Sequence, residues 1–197
     1  MPYILTTGPR EIFVARLTSD RNQISYNKRT EELQVPRIPF EELPGDGRVW
    51  IFSASRPLTA EEQTRLLAEV DRFIDQWGAH AVPLVAGRHL QYGQFLFVAV
   101  DQSTTGPSGC SVDALVRQMK TLQVEIGIEL VNHAPVLFRR GSEIERVTRD
   151  EFSELVAAGD VGPHTTVFNN TLTTLSDVRA GRWEVSASNS WHAQAFF

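Results

Sequence analysis

The sequence predicts an α+β fold whose centre, residues 48–140, is a ferredoxin-like βαββαβ unit. Three observations carry this reading. Short apolar runs alternate with helix-period stretches in the order strand, helix, strand, strand, helix, strand. Tyr92-Gly93 marks a tight turn between the middle two strands. A hydroxyl residue stands before each helix, where it can cap the first turn. Right-handed crossovers then give a four-stranded antiparallel sheet with both helices on one face. A plain α/β layer with another strand order is the competing topology.

The elements follow in order. Arg48 to Ser53 (RVWIFS) reads as a buried strand. Thr59-Ala60-Glu61-Glu62 is a capping box, opening a helix with Leu66, Leu67, Val70, Phe73, Ile74 and Trp77 on one face and Gly78 at its end. Val82 to Gln91 and Gln94 to Asp101 are the paired strands around the Tyr92-Gly93 turn. After a loop over 102–110, Ser111 caps a helix with Val112, Leu115, Val116, Met119, Leu122 and Ile126 inward, and Gly127 closes it. Pro135 to Arg140 is the fourth strand, turned by Gly141-Ser142 into Glu143 to Val147.

Residues 1–47 read as an N-terminal extension. Glu11 to Leu17 has strand character, Arg21 to Gln34 is polar and weakly patterned, and Pro36, Pro39, Pro44, Gly45 and Gly47 punctuate the junction. Residues 141–197 form a C-terminal segment packed on the core. It holds a helix over Arg149 to Ala158, strands at His164 to Phe168 and Arg182 to Val185, and an aromatic tail from Ser190 to Phe197 that is expected to dock on the body. One compact domain results.

Composition removes several function classes. Of 197 residues, 42% are hydrophobic and 22% charged, an ordinary globular balance. The net charge of -5 disfavours nucleic acid and acidic membranes as partners. The two lysines, Lys28 and Lys120, follow Asn27 and Met119, so neither supplies the Gly-Lys-Ser/Thr of a phosphate-binding Walker A loop. One cysteine, Cys110, excludes an intrachain disulfide. With no signal pattern and no membrane-length apolar run, a cytoplasmic location is expected.

The most informative stretch runs from Thr105 to Asp113, TGPSGCSVD. It sets a lone thiol at a helix start, where amides and the helix dipole favour anions and thiolates. Cysteine is also among the most buried residue types, so a packed, inert thiol is the competing reading. A phosphatase-type loop fails, because Arg117 lies seven positions after Cys110 and the glycines precede it.

The ferredoxin-like topology gathers His80, Asp101, Cys110, Ser111, Asp113, Arg139 and Arg140 at one end of the sheet. A thiol, an imidazole and an acid are the parts of an activated nucleophile. Cys110 with His80 or His192 as base and Asp101 or Asp113 as orienter form that candidate set. Ser108, Gly109 and Ser111 offer an anion site at the helix start, with Asn169, Asn170, Trp191 and Arg139 as further ligand-binding candidates. Each also has a plain structural role open to it, in a cap, a turn or the core. Five scattered histidines without HxxxH or CxxC spacing predict no metal, and no cofactor motif occurs.

Several strings resemble one bacterial family. They are Arg48-Val49-Trp50-Ile51, Arg56 with Leu58-Thr59, Trp77 with His80, Val100-Asp101, Ser108 to Asp113, Thr166 to Asn170, and Ser190-Trp191-His192. The family is uncharacterised, common in Bacteroidetes, and carried under the label "ABC transporter ATPase". The resemblance runs from about residue 36 to the C-terminus, and residues 1–35 look like an addition that shorter members lack. It implies emphasis on His80, Cys110, Asp113, Asn169, Trp191 and His192. It lends no activity, and the missing Walker A motif excludes a conventional transporter ATPase.

Two functions are therefore expected to compete. One is a small-ligand (anion) or partner-binding protein without ATPase activity. The other is a thiol-dependent hydrolase or acyltransferase using Cys110. A homodimer through the open sheet face is compatible with both.

Overall fold

The computed structural model describes residues 4–6, 12–14, 37–103 and 105–197. Contacts divide the chain into two units, Met1–Gln34 and Val35–Phe197. In the first, β1 (Ile4–Thr6) pairs antiparallel with β2 (Ile12–Val14). The expected strand over Glu11 to Leu17 is described only at Ile12–Val14, and the polar stretch Arg21 to Gln34 lies outside the described residues.

The second unit is mixed α+β with antiparallel sheets. Its first sheet contains β3 (Arg48–Ser53), β6 (Ala86–Gln91) and β7 (Phe95–Val100), in the order β3-β7-β6. Two long helices cover one face: α1 (Ala60–Asp75) and α2 (Gly109–Ile126). Phe52, Leu96, Val98 and Val100 point to them and meet Leu66, Val70, Ile74, Leu115, Met119 and Leu122 in one core. Alternation along the strands sends Val49, Ile51, Phe95 and Phe97 to the other face.

A second sheet covers that other face. It is ordered β11-β10-β8-β9, from β8 (Val136–Arg140), β9 (Glu143–Val147), β10 (Thr166–Phe168) and β11 (Glu184–Ser186). Leu137, Phe168 and Trp183 pack on Val49, Ile51, Phe95 and Phe97. Val136, Phe138 and Val167 face outward onto Phe152 of α3 (Arg149–Ala158) and the C-terminal tail. The tail forms α5 (His192–Phe196), whose Phe196 ring lies 4.9 Å from that of Phe152. The aromatic tail therefore docks, as its composition predicts.

The fourth strand departs from the ferredoxin-like expectation. Val136–Arg140 does not pair beside Arg48–Ser53 but pairs with β9 and β10 in the second sheet. The reason lies in its burial on both faces. Leu137 packs against the first sheet while Val136 and Phe138 need cover from α3 and the tail. Stacking over the first sheet supplies both covers. The place beside β3 is taken over a short length by Thr173 to Leu175, which enter α4 (Leu175–Arg179): Val49 N–H donates to Thr173 O at 3.0 Å and Leu175 N–H to Gly47 O at 3.0 Å.

Smaller corrections concern element ends. The Thr59–Glu62 capping box is present, but α1 ends at Asp75, and Gly78 begins a two-residue hairpin of β4 (Gly78–Ala79) with β5 (Val82–Pro83). Its turn residues His80 and Ala81 have φ of 53° and 61°, which disfavours side chains. Ser108, not Ser111, caps α2, accepting from the Ser111 amide; Ser111 is buried inside the first turn. Residues 37–47 pack with the second unit, with Leu43 in the inter-sheet core.

Candidate functional site

The first candidate region is the start of α2. Cys110 is free and exposed there, so the inert, packed reading of its thiol does not describe it. Trp77 Nε1–H donates to Ser111 O at 2.9 Å, tying the end of α1 to the start of α2 as the topology predicts. Among the described residues, no hydrogen bond joins Cys110 to His80, Asp101, Asp113 or His192. Asp101 instead accepts from the Ser103 amide at 2.7 Å and the Ser103 hydroxyl at 2.9 Å. His80 and Asp113 are exposed. No cluster of three or more His, Cys, Asp or Glu side chains able to hold a metal occurs among the described residues.

Arg139 does not reach that rim. Its guanidinium lies 4.7 Å from the ring centroid of Tyr92, in the β6–β7 turn, and it pairs with Glu184. Asp101 follows the far end of β7 from that turn. The cause is the displaced fourth strand, which carries Arg139 into the second sheet.

A second region brings several candidates together. A cleft of about 420 Å³ is lined by all six residues of β3, by Val116 of α2, by Val131, His133 and Pro135, by Asn170 to Thr173, and by Trp191 and His192. Successive strand side chains point to opposite faces, so a surface touching six in a row runs along the strand's edge. This is the edge beside which a fourth strand was expected. It is stopped at one end by the Val49–Thr173 bond and at the other by Ser55 N–H donating to Glu129 O at 2.9 Å.

The register says which groups face the cleft. Val49 N–H points away from β7, toward Thr173. By the alternation of an antiparallel ladder, Ile51 and Ser53 also turn N–H and C=O to that side. Both residues are 2% exposed, and no hydrogen bond to these backbone groups from another described residue is present. A buried, unpaired backbone group costs roughly 1–3 kcal/mol. Such groups at a cleft are a standing demand for a polar occupant.

Two wall residues carry orphaned atoms beneath the surface: His192 is 0% exposed, and neither its Nε2 nor the buried Trp191 Nε1 has a hydrogen-bond partner among the described residues. The other ring nitrogen, Nδ1, lies 2.7 Å from Ser190 Oγ. Ser190 Oγ also donates to Ala187 O at 3.3 Å, which leaves it to accept from Nδ1–H and puts the lone pair of the neutral ring on Nε2. Burial, with a smaller contribution from the Arg149 charge, pushes the His192 pKa down to about 4, so the ring is neutral at pH 7. Partial burial also lowers the pKa of His133, whose residue is exposed at the rim.

Charge in the cleft is one-sided. Among the described residues, Arg48 is the charged residue of the lining, which holds no carboxylate. Its guanidinium lies 5.0 Å from the Trp50 ring, and that of Arg149 lies 4.8 Å from the Trp191 ring. The nearby Glu129 is held by Arg146 and Asn132. Donors and positive charge in an otherwise apolar slot suit an anion with an apolar body.

Of the sequence candidates, Asn170, Trp191 and His192 meet in this cleft. Asn170 Oδ1 accepts from Trp183 Nε1 at 2.9 Å, and Asn169 Oδ1 accepts from Thr171 in a local turn. Ser108, Gly109 and Ser111 stay at the α2 start. Arg48, Ser53, Val131 and His133 were missed. RVWIFS reads as a strand but does not announce an edge, and His133 stands in no motif.

Comparison of the chain with protein-family models, with curated proteins and with solved structures returned no match. The geometry therefore carries the functional argument alone.

Proposed function

We propose that this protein binds a small anionic ligand in the cleft beside β3 and carries out no chemistry there. One observation carries the reading: the cleft beside β3 holds the Arg48 guanidinium and, among the described residues, no carboxylate. On this reading the 48–140 region is a ferredoxin-like core with its fourth strand displaced. The protein works in the cytoplasm, without nucleic acid, as a member of the bacterial family it resembles. No helix among the described residues is long and apolar enough to cross a membrane.

The test is a ¹H–¹⁵N spectrum recorded with a panel of carboxylates and phosphates. Binding shifts the Trp191 indole resonance and raises Tm, and both responses weaken in Arg48→Gln. A panel that moves neither the indole signal nor Tm sinks the proposal.

The exposure of Cys110 supports a second reading, the thiol-dependent hydrolase or acyltransferase. It requires iodoacetamide labelling that is fast below neutrality and slowed in His80→Ala. Labelling governed by a thiol pKa of about 8.5 ends it.

A further inference from the structure

We infer that the anionic ligand is a short peptide in extended conformation, which adds to the edge of β3 as an antiparallel strand with its free C-terminal carboxylate toward Arg48. The inference rests on the cleft being a ligand site and goes on to name the ligand's chemistry.

Three observations select a peptide. First, the groups that no other described residue engages along this edge are backbone groups of alternate residues, Ile51 and Ser53, each offering one donor and one acceptor. That pattern is matched by another strand and by few other molecules. Second, the length fits. The free edge lies between Val49 and Ser55, both already engaged, which spans about 20 Å at the usual strand rise. Two alternate residues in that span pair with a peptide of about three residues. Third, both sides of the slot are apolar. Val116 and Val131 line it with Phe168 and Leu172, so side chains alternating to either face of an added strand meet hydrocarbon.

Direction follows from the segment that shares the edge. Thr173 to Leu175 run antiparallel to β3, with Thr174 opposite Arg48. A peptide in the same sense would present its C-terminus to Thr173, whose strand blocks further extension. The chain must end there, beside Arg48, so a free carboxylate falls where the cleft holds its positive charge. The exposed rim at His133, Thr171 and Thr173 gives access from solvent.

The test uses the whole chain and a set of free-acid tripeptides built from Ala, Val, Leu and Phe. Three forms of the best binder are compared: the free acid, its C-terminal amide, and a depsipeptide with the central amide replaced by an ester. Strand addition predicts at least tenfold weaker binding for the amide and for the ester. It also predicts slower hydrogen exchange at the Ile51 and Ser53 amides on adding the free acid. Arg48→Gln erases the difference between acid and amide. Ester and amide binding as tightly as the parent, with unchanged Ile51 and Ser53 exchange, overturns strand addition. If simple carboxylates still shift the Trp191 indole in that case, the anion site stands and only its peptide identity fails. Tripeptides that do not bind at all, beside carboxylates that do, overturn the peptide in the same way and leave the anion site standing.

Discussion

Lowering the pH should unfold this protein partly through His192, and the size of the effect follows from its burial. The ring is fully inaccessible, and its folded pKa is about 4 against an ordinary 6.5. Below pH 6.5 the unfolded chain takes up a proton that the folded chain refuses, so stability falls with pH. The contribution is complete above 6.5, declines between 6.5 and 4, and is flat below. Between pH 7.5 and 4.5 the loss is about 2.5 kcal/mol. That is a large share of a typical stability of roughly 5–15 kcal/mol. Urea unfolding followed by tryptophan fluorescence at both pH values, for the wild type and His192→Asn, isolates the term because other titrating groups are common to both. The wild type should lose about 2.5 kcal/mol more than the variant. Equal losses, or an NMR titration of the His192 ring near 6.5, would refute the assignment of a buried neutral imidazole.

Gly87→Ala should destabilise by about 2 kcal/mol in urea unfolding, because a Cβ there would stand 2.6 Å from Ile38 O; an unchanged midpoint would show that the 37–47 segment yields freely. Thr59→Ala removes half of a capping box and should cost about 1 kcal/mol, with thermal denaturation as the check. Ala81→Gly relieves a positive φ of 61° in the β4–β5 turn and should stabilise by about 1 kcal/mol; a lower Tm counts against that backbone. Native protein should take up one equivalent of a thiol reagent at Cys110, and labelling only after denaturation would contradict its exposure.

Much of the secondary structure was legible because its signals are local. The Thr59–Glu62 box starts α1, the Tyr92-Gly93 pair turns the chain at φ of 54° and 61°, and Gly127 ends α2 at φ of 73°. Each depends on a few neighbouring residues and on sterics or capping bonds that any surroundings permit. The candidate site was legible only in part. Asn170, Trp191 and His192 were candidates with a turn or core role equally open to them, and they line the cleft. Arg139 was misplaced, because its location depends on which sheet receives Val136–Arg140.

By itself the sequence determined the element types, the apolar faces of the two long helices, and the absence of a Walker A loop. Those properties are written in periodicity, caps and motifs. Only the tertiary structure decided that β8 stacks over the first sheet rather than beside it. An apolar strand offers the same hydrogen-bonding groups to any partner, so its place is set by which arrangement covers both faces. Leu137 on one side and Val136 with Phe138 on the other could be covered together only between the first sheet and α3 with the tail. That choice left the edge of β3 open, and the cleft exists because of it.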